Sequence, residues 1–567
     1  MRNPTAAALL TLTLCCPVVG IAVEPSSDLR IRTLGLSDQQ APAMPTGVAL
    51  GEFSYVTING DGNRPELNAS GQSAFFSQMR GPGIDSANDG ALWFDDGDRL
   101  HIIAQEGMTA PGALDGEVFS RIYAGFPNLA DDGTIVFHAS IQSDGGVERD
   151  GLWRAKDGDL DLVVLEGAVL PGLPNVIADA VLRSYRVGTD GEIVYYMIAQ
   201  ERRPPNLVTG VYRFDGETTS EVVKSGDIAP GIGRPFTNFS DDSVSINSNG
   251  DVAFVGLTEA SGLEQREDSG IWLASSGATS LLVREGLHPP GTPTGAEFRN
   301  VSISIPFRFS PVLNSSREIA FFSSVLAPPP SGQSGIWTAA ESGVEAKLIS
   351  GDTLVSRGVS IVAPETDLGQ EAALMNDDGV IVYKARLFGD DITDENDDAI
   401  FRLAPGGRTQ VVARIGDQAP DTPDGVTFRH LGDVGLGSDG TVAFAATFLD
   451  PSYPAVQSGI WLETSSGELE LVVRTNDELE VLKGDLRTIS SIDFDGGSGN
   501  ADGRVSSFER YGNLAFHARF TDGTSGMFHY GFSAVPTPTA SALAALACVW
   551  ACSSPRGRAS KLSRGLG

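Results

Sequence analysis

An internal repeat of about 60 residues constrains the fold of this chain more than any other feature. The sequence Asn-Ala-Ser-Gly-Gln-Ser-Ala-Phe at 68–75 is echoed at 247–254 and at 376–383. Weaker copies fill the gaps: four centre on Gly133, Gly191, Gly440 and Gly512, and one at 314–321 has Arg317 in place of the glycine. Eight copies in one chain predict a structure of eight similar units.

Two further motifs recur in step with the first. One is an aromatic residue after an aliphatic residue, usually with glycine before that: Trp93, Trp153, Tyr212, Trp272, Trp337, Phe401, Trp461 and Phe528. The other is Gly-Asp-x-x-Pro in its fullest form, and its copies are at 107–111, 167–171, 226–230, 286–290 and 416–420, with looser ones around Asp352 and Asp477. Three motifs in one cyclic order are typical of a tandemly repeated supersecondary unit.

One repeat, residues 416–475, shows what the unit is. The pattern predicts strands at 426–431, 441–448, 459–462 and 469–474, with a hairpin turn at 438–440 where Gly440 is free to take a positive φ. The second strand reads as a continuous apolar run rather than an alternating one, which indicates that both faces of the sheet are covered. The aromatic positions lie in such strands, so we interpret them as packing between units rather than as a sugar-binding stripe.

Four-stranded sheets that are covered on both faces fit the blades of a propeller. The last repeat has only three strands, ending at 526–530, whereas the strand predicted at 29–34 has no repeat of its own. The sequence therefore predicts an all-β fold, an eight-bladed β-propeller closed by the N-terminal strand. Stacked β-domains or another blade count are the alternatives.

The repeats resemble the bacterial choice-of-anchor tandem repeat proteins that contain the NxxGxxAF motif. The resemblance covers nearly the whole predicted mature chain. It implies an exported, surface-associated protein, and it supplies no catalytic residue.

The two ends of the chain indicate export. Residues 1–22 begin with Arg2, continue through an apolar stretch and end in small residues, which predicts a signal peptide; a lipoprotein reading of Cys15 and Cys16 is the alternative. Residues 534–567 hold a short linker, an apolar run and a basic tail, and they resemble the PEP-CTERM sorting signal of Gram-negative envelope proteins. A tail with a chance apolar patch is the alternative for this segment. The predicted propeller is residues 23–533, and the predicted location is the cell surface or the extracellular space.

Charge excludes one class of partner. The chain has 73 acidic and 40 basic side chains and a formal net charge of −33, so it would repel nucleic acid. No zinc-protease, P-loop or nucleophile-elbow motif occurs in it. The predicted partners are an extracellular glycan or an envelope component, together with the export and sorting machinery that would act on the two ends.

Calcium is the cofactor that the sequence suggests. Asn500, Asp502 and Glu509 follow Ser498 at spacings that resemble an oxygen-ligated calcium loop, although the first position is serine rather than aspartate. The acidic stretch 390–398 is read first as a solvated loop. The six histidines show no metal-ligand spacing.

The loops between second and third strands differ most between repeats: 81–90, 142–150, 201–209, 258–269, 326–334 and 389–398. Loops that are free of packing often carry recognition, and Arg202 with Arg203 forms a rare basic cluster there, so these two are the predicted ligand-binding residues, for an anionic ligand. The favoured function is a non-catalytic binding or structural module. The alternative is an extracellular polysaccharide hydrolase or lyase with acids at the propeller mouth.

Overall fold

The computed structural model describes residues 29–53, 64–123, 127–143, 146–203, 205–240, 243–259, 268–299, 311–326, 333–351, 353–354, 359–364, 373–406, 408–451, 453, 455–464, 466–499 and 502–532. Residues 31–531 form one compact unit; the second unit, formed by the two ends, has only Leu29, Arg30 and Phe532 among the described residues. Every regular element in the described ranges is a β-strand. The predicted signal peptide and sorting segment lie outside them.

The strands form eight antiparallel sheets, so the predicted eight-bladed propeller is confirmed. The strand β1 (Leu29–Leu36) comes first in the chain and belongs to the last blade. Blade 1 contains β2 (Ala49–Leu50), β3 (Glu66–Leu67), β4 (Ser73–Arg80), β5 (Gly90–Asp95) and β6 (Leu100–Gln105). Blade 2 contains β7 (Val118–Ile122), β8 (Asn128–Leu129), β9 (Ile135–Gln142), β10 (Arg149–Lys156) and β11 (Asp159–Leu165). Blade 3 contains β12 (Val169–Leu170), β13 (Leu173–Val187), β14 (Ile193–Arg202), β15 (Pro205–Phe214) and β16 (Thr219–Lys224).

The next three blades follow the same order. Blade 4 contains β17 (Phe236–Phe239), β18 (Ser245–Ile246), β19 (Val252–Thr258), β20 (Asp268–Ser275) and β21 (Ala278–Arg284). Blade 5 contains β22 (Glu297–Arg299), β23 (Val312–Leu313), β24 (Ile319–Leu326), β25 (Gln333–Ala340) and β26 (Gly343–Ile349). Blade 6 contains β27 (Thr353–Leu354), β28 (Val359–Pro364), β29 (Leu374–Met375), β30 (Ile381–Phe388), β31 (Asp398–Ala404) and β32 (Arg408–Arg414).

Blade 7 contains β33 (Thr427–Leu436), β34 (Val442–Leu449), β35 (Gln457–Glu463) and β36 (Leu469–Arg474). The last strand has the predicted ends, and the ends of the other three differ from the predicted ones by one to five residues. Blade 8 contains β37 (Glu478–Leu482), β38 (Asp485–Asp493), β39 (Phe508–Arg510), β40 (Asn513–Phe520), β41 (Ser525–Phe532) and β1. In most blades the first strand is split into two pieces, each paired with one end of the second strand. The first strands of successive blades contact one another from blade 1 to blade 8, and β3 of blade 1 contacts β40 of blade 8, so the first strands line the central channel.

The aromatic motifs form the packing between blades, as predicted. Trp461 is fully buried, stacks on Phe444 with ring centroids 6.1 Å apart, and donates from its indole nitrogen to the carbonyl of Pro420 at 3.0 Å. Trp153, Trp272 and Trp337 each make the same bond to the proline of a Gly-x-x-x-Pro turn. A Cβ added at Gly459 would lie 2.8 Å from the ring of Trp461, which explains the glycine two residues before the aromatic. The second and third motifs therefore recur together because they contact each other.

The two ends of the strands define two faces of the propeller. The hairpin face carries the Asn-x-x-Gly turns between first and second strands and the turns between third and fourth strands. The loop face carries the connections between second and third strands and the segments that lead into the next blade, including the Gly-x-x-x-Pro turns. A Cβ added at Gly107, in one such turn, would lie 3.3 Å from the carbonyl oxygen of Ala87 in the loop of blade 1, so both kinds of connection share this face.

The asparagine of the first motif joins neighbouring blades on the hairpin face. The Oδ1 atom of Asn68 accepts from the amides of Ser70 and Gln72 at 3.1 and 3.0 Å, and its Nδ2 donates to the carbonyl of Ala130 in blade 2 at 3.0 Å. Asn247 and Asn376 repeat both halves of this arrangement toward the turns of blades 5 and 7. Each asparagine thus shapes its own turn and binds the next one.

The N-terminal strand closes the ring, as predicted, because β1 pairs with β41 as the outer strand of blade 8. Arg32 of β1 forms a two-pronged ion pair with Asp95 of blade 1, with both N–O distances at 2.8 Å. On the hairpin face Asn513 donates from Nδ2 to the carbonyl of Asn68 at 3.1 Å. Blades 8 and 1 are therefore joined by the same kinds of contact as the other neighbours.

Candidate functional site

A segment of blade 8 crosses the central channel. We call residues 496–499 and 502–507, which follow β38, the plug. It accepts hydrogen bonds at its carbonyls from the side chain of Asn128 and from the amides of Leu67, Val187, Ile246 and Leu436. It also donates from Arg504 to the carbonyl of Pro311 at 3.0 Å. The plug thus contacts the first strands of blades 1, 2, 3, 4 and 7 and the residue before β23 of blade 5.

The plug holds part of the predicted calcium loop. Asp502 is fully buried, accepts from the Ser498 hydroxyl at 2.7 Å and lies 3.3 Å from Nε of Arg504. Glu509 replaces the motif asparagine in the last repeat, and its Oε1 accepts from the Ser438 hydroxyl at 2.6 Å. Burial raises the pKa of Glu509. Asn500 lies outside the described residues, so the calcium site stays a prediction.

Both described members of that loop already have protein partners. Across the part of the chain that the structure describes, no three His, Cys, Asp or Glu side chains are grouped as metal ligands would be. A calcium ion at this place would have to compete with Arg504 for the carboxylate of Asp502.

A charged cluster lines the channel beside the plug. Arg64, just before β3, lies 2.7 Å from Asp495 and 3.4 Å from Asp433 of β33. Asp493, at the end of β38, lies 3.0 Å from Nδ1 of the buried His517, and this hydrogen bond lowers the pKa of the carboxyl. The arginine neutralises two of these acids, so the cluster forms a network of ion pairs rather than a set of free carboxylates.

Sequence reasoning missed this cluster. Its arginine and acids lie on or beside the first strands of blades 7, 8 and 1, and His517 lies on β40, the second strand of blade 8. They occupy different positions within their repeats, so no shared motif marks them. One signal was available: His138 and His517 both directly follow the aromatic residue of the first motif, and both are buried. A buried histidine at a repeated position predicts a polar partner on the neighbouring strand.

The predicted ligand-binding residues are on the loop face. Arg202 ends β14 and Arg203 begins the turn to β15, and both side chains are exposed. Within the described residues neither guanidinium has an ion-pair partner, in contrast to Arg149 of blade 2, which lies 2.6 Å from Glu117. Two adjacent exposed arginines on a hairpin can bind an anion.

The other variable loops lie on the same face. The loops at 81–90 and 389–398 are described in full, whereas most of 258–269 and 326–334 lies outside the described residues. Asp390, Asp391 and Asp394 of blade 6 are exposed, so the charge of this face changes sign between blades 3 and 6.

Among the described residues, no helix has the length and apolar character to span a membrane.

Three solved structures are among those to which the chain is similar, each at low identity. The chain is 12% identical to a protein of unknown function from Dyadobacter fermentans, over 65% of this chain and 98% of that one, with a TM-score of 0.25. The β-propeller domain of the Trilobed protease from Pyrococcus furiosus is 10% identical, over 74% and 98% of the two chains, with a TM-score of 0.34. A puromycin-hydrolyzing peptidase from Mycobacterium tuberculosis is 13% identical, over 86% and 61%, with a TM-score of 0.33.

No curated protein matches the sequence. A protein family does, and its match extends over residues 67–542, from the end of β3 in blade 1 through the last strand of blade 8. The match includes all eight copies of the first motif, and only β1, β2 and the first residue of β3 precede it. The chain belongs to this family, a family of unknown function (DUF7453).

Proposed function

We propose that this protein is an exported, surface-associated binding module that recognises an extracellular glycan or envelope component with the loop face of its propeller. The observation that carries the proposal is the contrast within each blade. The same strands end in near-identical hydrogen-bonded turns on one face and in connections of different length and charge on the other. Many binding proteins have this arrangement, in which variable loops extend from a fixed framework.

The charged cluster supports binding rather than catalysis. A general acid and a nucleophile or base would need accessible carboxylates held at a defined separation, with at least one free to exchange a proton. Asp433 and Asp495 are paired with Arg64 instead. Glu66 is buried, burial raises its pKa, and its Oε2 accepts from the amide of Ser506 at 2.9 Å. These acids hold the plug and the first strands in place.

Arg202 and Arg203 are the proposed contacts for an anionic group on the ligand, such as a uronate or a sulfate. The rest of the described loop face is mainly acidic, so an anionic ligand would be directed to blade 3 by charge alone. Export and surface location rest on the predicted signal peptide and sorting segment.

A glycan array combined with a polysaccharide hydrolysis screen on the purified protein tests this function. We expect binding to at least one anionic glycan without release of reducing ends, and at least a tenfold weaker affinity for Arg202→Ser/Arg203→Ser. Arg99→Ser, an exposed arginine on the hairpin face, is the control and should bind normally. Release of oligosaccharides by the wild-type protein would favour the hydrolase or lyase alternative.

A further inference from the structure

Exposed apolar side chains are distributed on one side of the propeller. Fourteen large apolar residues are exposed in the described part of the chain, and thirteen of them lie in loop-face connections or within three residues of one. The thirteen are Met108, Leu114, Val147, Val169, Leu207, Ile228, Leu287, Leu326, Phe388, Tyr453, Val456, Leu482 and Leu486. The fourteenth, Val411, is on β32. A one-sided set of this kind marks an interaction surface.

The composition of this set favours a protein partner. Eleven of the thirteen side chains are aliphatic or methionine, and only Phe388 and Tyr453 are aromatic. Sugars stack mainly on aromatic rings, whereas aliphatic side chains are buried most readily against other protein side chains. The charges on the same face are segregated, with Arg202 and Arg203 on blade 3 and Asp390, Asp391 and Asp394 on blade 6.

We propose that two copies of this chain associate through their loop faces about a two-fold axis that places blade 3 of one copy against blade 6 of the other. A two-fold axis in the plane between two facing rings, passing between blades 4 and 5, exchanges blade n with blade 9 − n. Blade 3 then faces blade 6 twice, once on each side of the axis, as an isologous interface requires. Both arginines of each copy meet the acidic loop of the other.

The apolar residues of the second-to-third loops match under the same axis. Leu207 of blade 3 faces Phe388 of blade 6, and Val147 of blade 2 faces Tyr453 and Val456 of blade 7. The loops of blades 1 and 8, which also face each other, have no exposed large apolar side chain among their described residues, and neither does the described part of the blade 4 loop. One axis therefore aligns both the charges and the apolar side chains, which supports a second copy over an unrelated protein.

This inference goes beyond the proposed function, and the two share Arg202 and Arg203. An anionic glycan bound there would compete with the second copy. Sedimentation in the absence of glycan reports only on self-association, and a glycan array on the protein at nanomolar concentration reports mainly on ligand binding. Failure of one proposal therefore leaves the other standing.

Charge reversal tests the contact. Sedimentation equilibrium of the full chain should show a monomer–dimer equilibrium, and Arg202→Glu/Arg203→Glu and Asp390→Lys/Asp391→Lys should each weaken dimerisation at least tenfold. The variant that combines all four changes should restore it to within about threefold of wild type, because the charges are exchanged on both copies. Asp98→Lys/Glu217→Lys makes the same charge change at exposed sites on the hairpin face and should leave dimerisation unchanged.

Three results would overturn the proposal: a wild-type protein that is monomeric up to high micromolar concentration, a dimer insensitive to both reversals, or a combined variant that is not restored. Melting curves of all variants establish that they fold. A flotation assay with phosphatidylcholine vesicles is the second part of the experiment and tests whether the loop face binds a membrane surface instead. A monomer that floats with the vesicles would assign the apolar side chains to a membrane surface instead.

Discussion

The hairpin face and the loop face are built from the ends of the same strands, yet they are stabilised in different ways. On the hairpin face, Asn68, Asn247 and Asn376 bond both their own turn and the next blade, and the plug lies beside these turns. On the loop face, the two kinds of connection together carry thirteen exposed large apolar side chains. The difference indicates that one face holds the ring together, which leaves the other free to vary and bind.

The largest expected effect is loss of ring closure. Deleting residues 23–36 would remove β1, the buried Leu34 and Leu36, and the ion pair of Arg32 with Asp95, and would expose the edge of β41. Burial of the two leucines alone contributes about 3 to 6 kcal/mol. We expect a thermal midpoint lower by at least 10 °C, measured by circular dichroism. An unchanged melting curve would mean that β1 does not close the ring.

A core tryptophan and an exposed loop-face tyrosine of blade 7 compare the packing between blades with the exposed side chains of the loop face. Trp461→Ala would leave a cavity between blades and an unpaired carbonyl at Pro420, so we expect a loss of about 3 to 5 kcal/mol in the free energy of unfolding. Tyr453→Ala, on the loop face of the same blade, should change it by less than about 0.5 kcal/mol. Urea denaturation measures both. Similar losses of unfolding free energy for the two variants would contradict the assignment of Trp461 to the packing between blades and of Tyr453 to the exposed loop face.

The seam between blades 8 and 1 should make stability depend on pH. Burial, together with the nearby Arg32, lowers the pKa of His529 to about 4, and its Nε2 lies 2.8 Å from Oδ1 of Asn513. The unfolded chain binds this proton first on acidification, so stability is full above about pH 6.5 and falls as the pH is lowered toward 4. The loss attributable to His529 is at most about 3 kcal/mol.

The control for this prediction is His529→Gln, which retains a donor for Asn513. Urea denaturation at pH 7 and at pH 5 should show a smaller difference between the two conditions for this variant than for wild type. An equal difference would assign the acid sensitivity to other groups.

The smallest effect is expected at the basic cluster. Arg202→Ser/Arg203→Ser removes two exposed side chains that have no partner among the described residues, so the thermal midpoint should move by less than about 2 °C. Differential scanning fluorimetry in dilute solution, below the concentration at which copies associate, measures it. A larger drop would show that these arginines stabilise the blade.

Much of the fold can be predicted from the sequence, because the same pattern of strands and turns occurs eight times. The strand at 469–474 and the turn with positive φ at Gly440 are both observed, since they depend on local pattern and turn chemistry. The plug could not be predicted in this way. It occurs once, and its contacts join Gly503 to Asn128 and Arg504 to Pro311, pairs that are 375 and 193 positions apart in the chain.

The charged cluster could not be predicted from the sequence for the same reason. The pairing of Arg64 with Asp433 depends on closure of the ring, which brings blades 7, 8 and 1 around one end of the plug. The basic loop residues are a different case, because a sequence shows that Arg202 and Arg203 are unusual in an acidic chain. It does not show that both lie on a face where exposed apolar side chains are gathered.

The most direct test compares unfolding of two triple variants. Asn68→Ala/Asn247→Ala/Asn376→Ala removes three asparagines that join blades on the hairpin face, and Leu114→Ser/Leu207→Ser/Ile228→Ser alters three exposed loop-face residues. Urea denaturation should show a loss of about 3 to 6 kcal/mol for the first variant, because each change leaves buried polar groups unpaired, and less than about 1 kcal/mol for the second. Equal losses, or a larger loss for the loop-face variant, would contradict the division of the propeller into a structural face and a binding face.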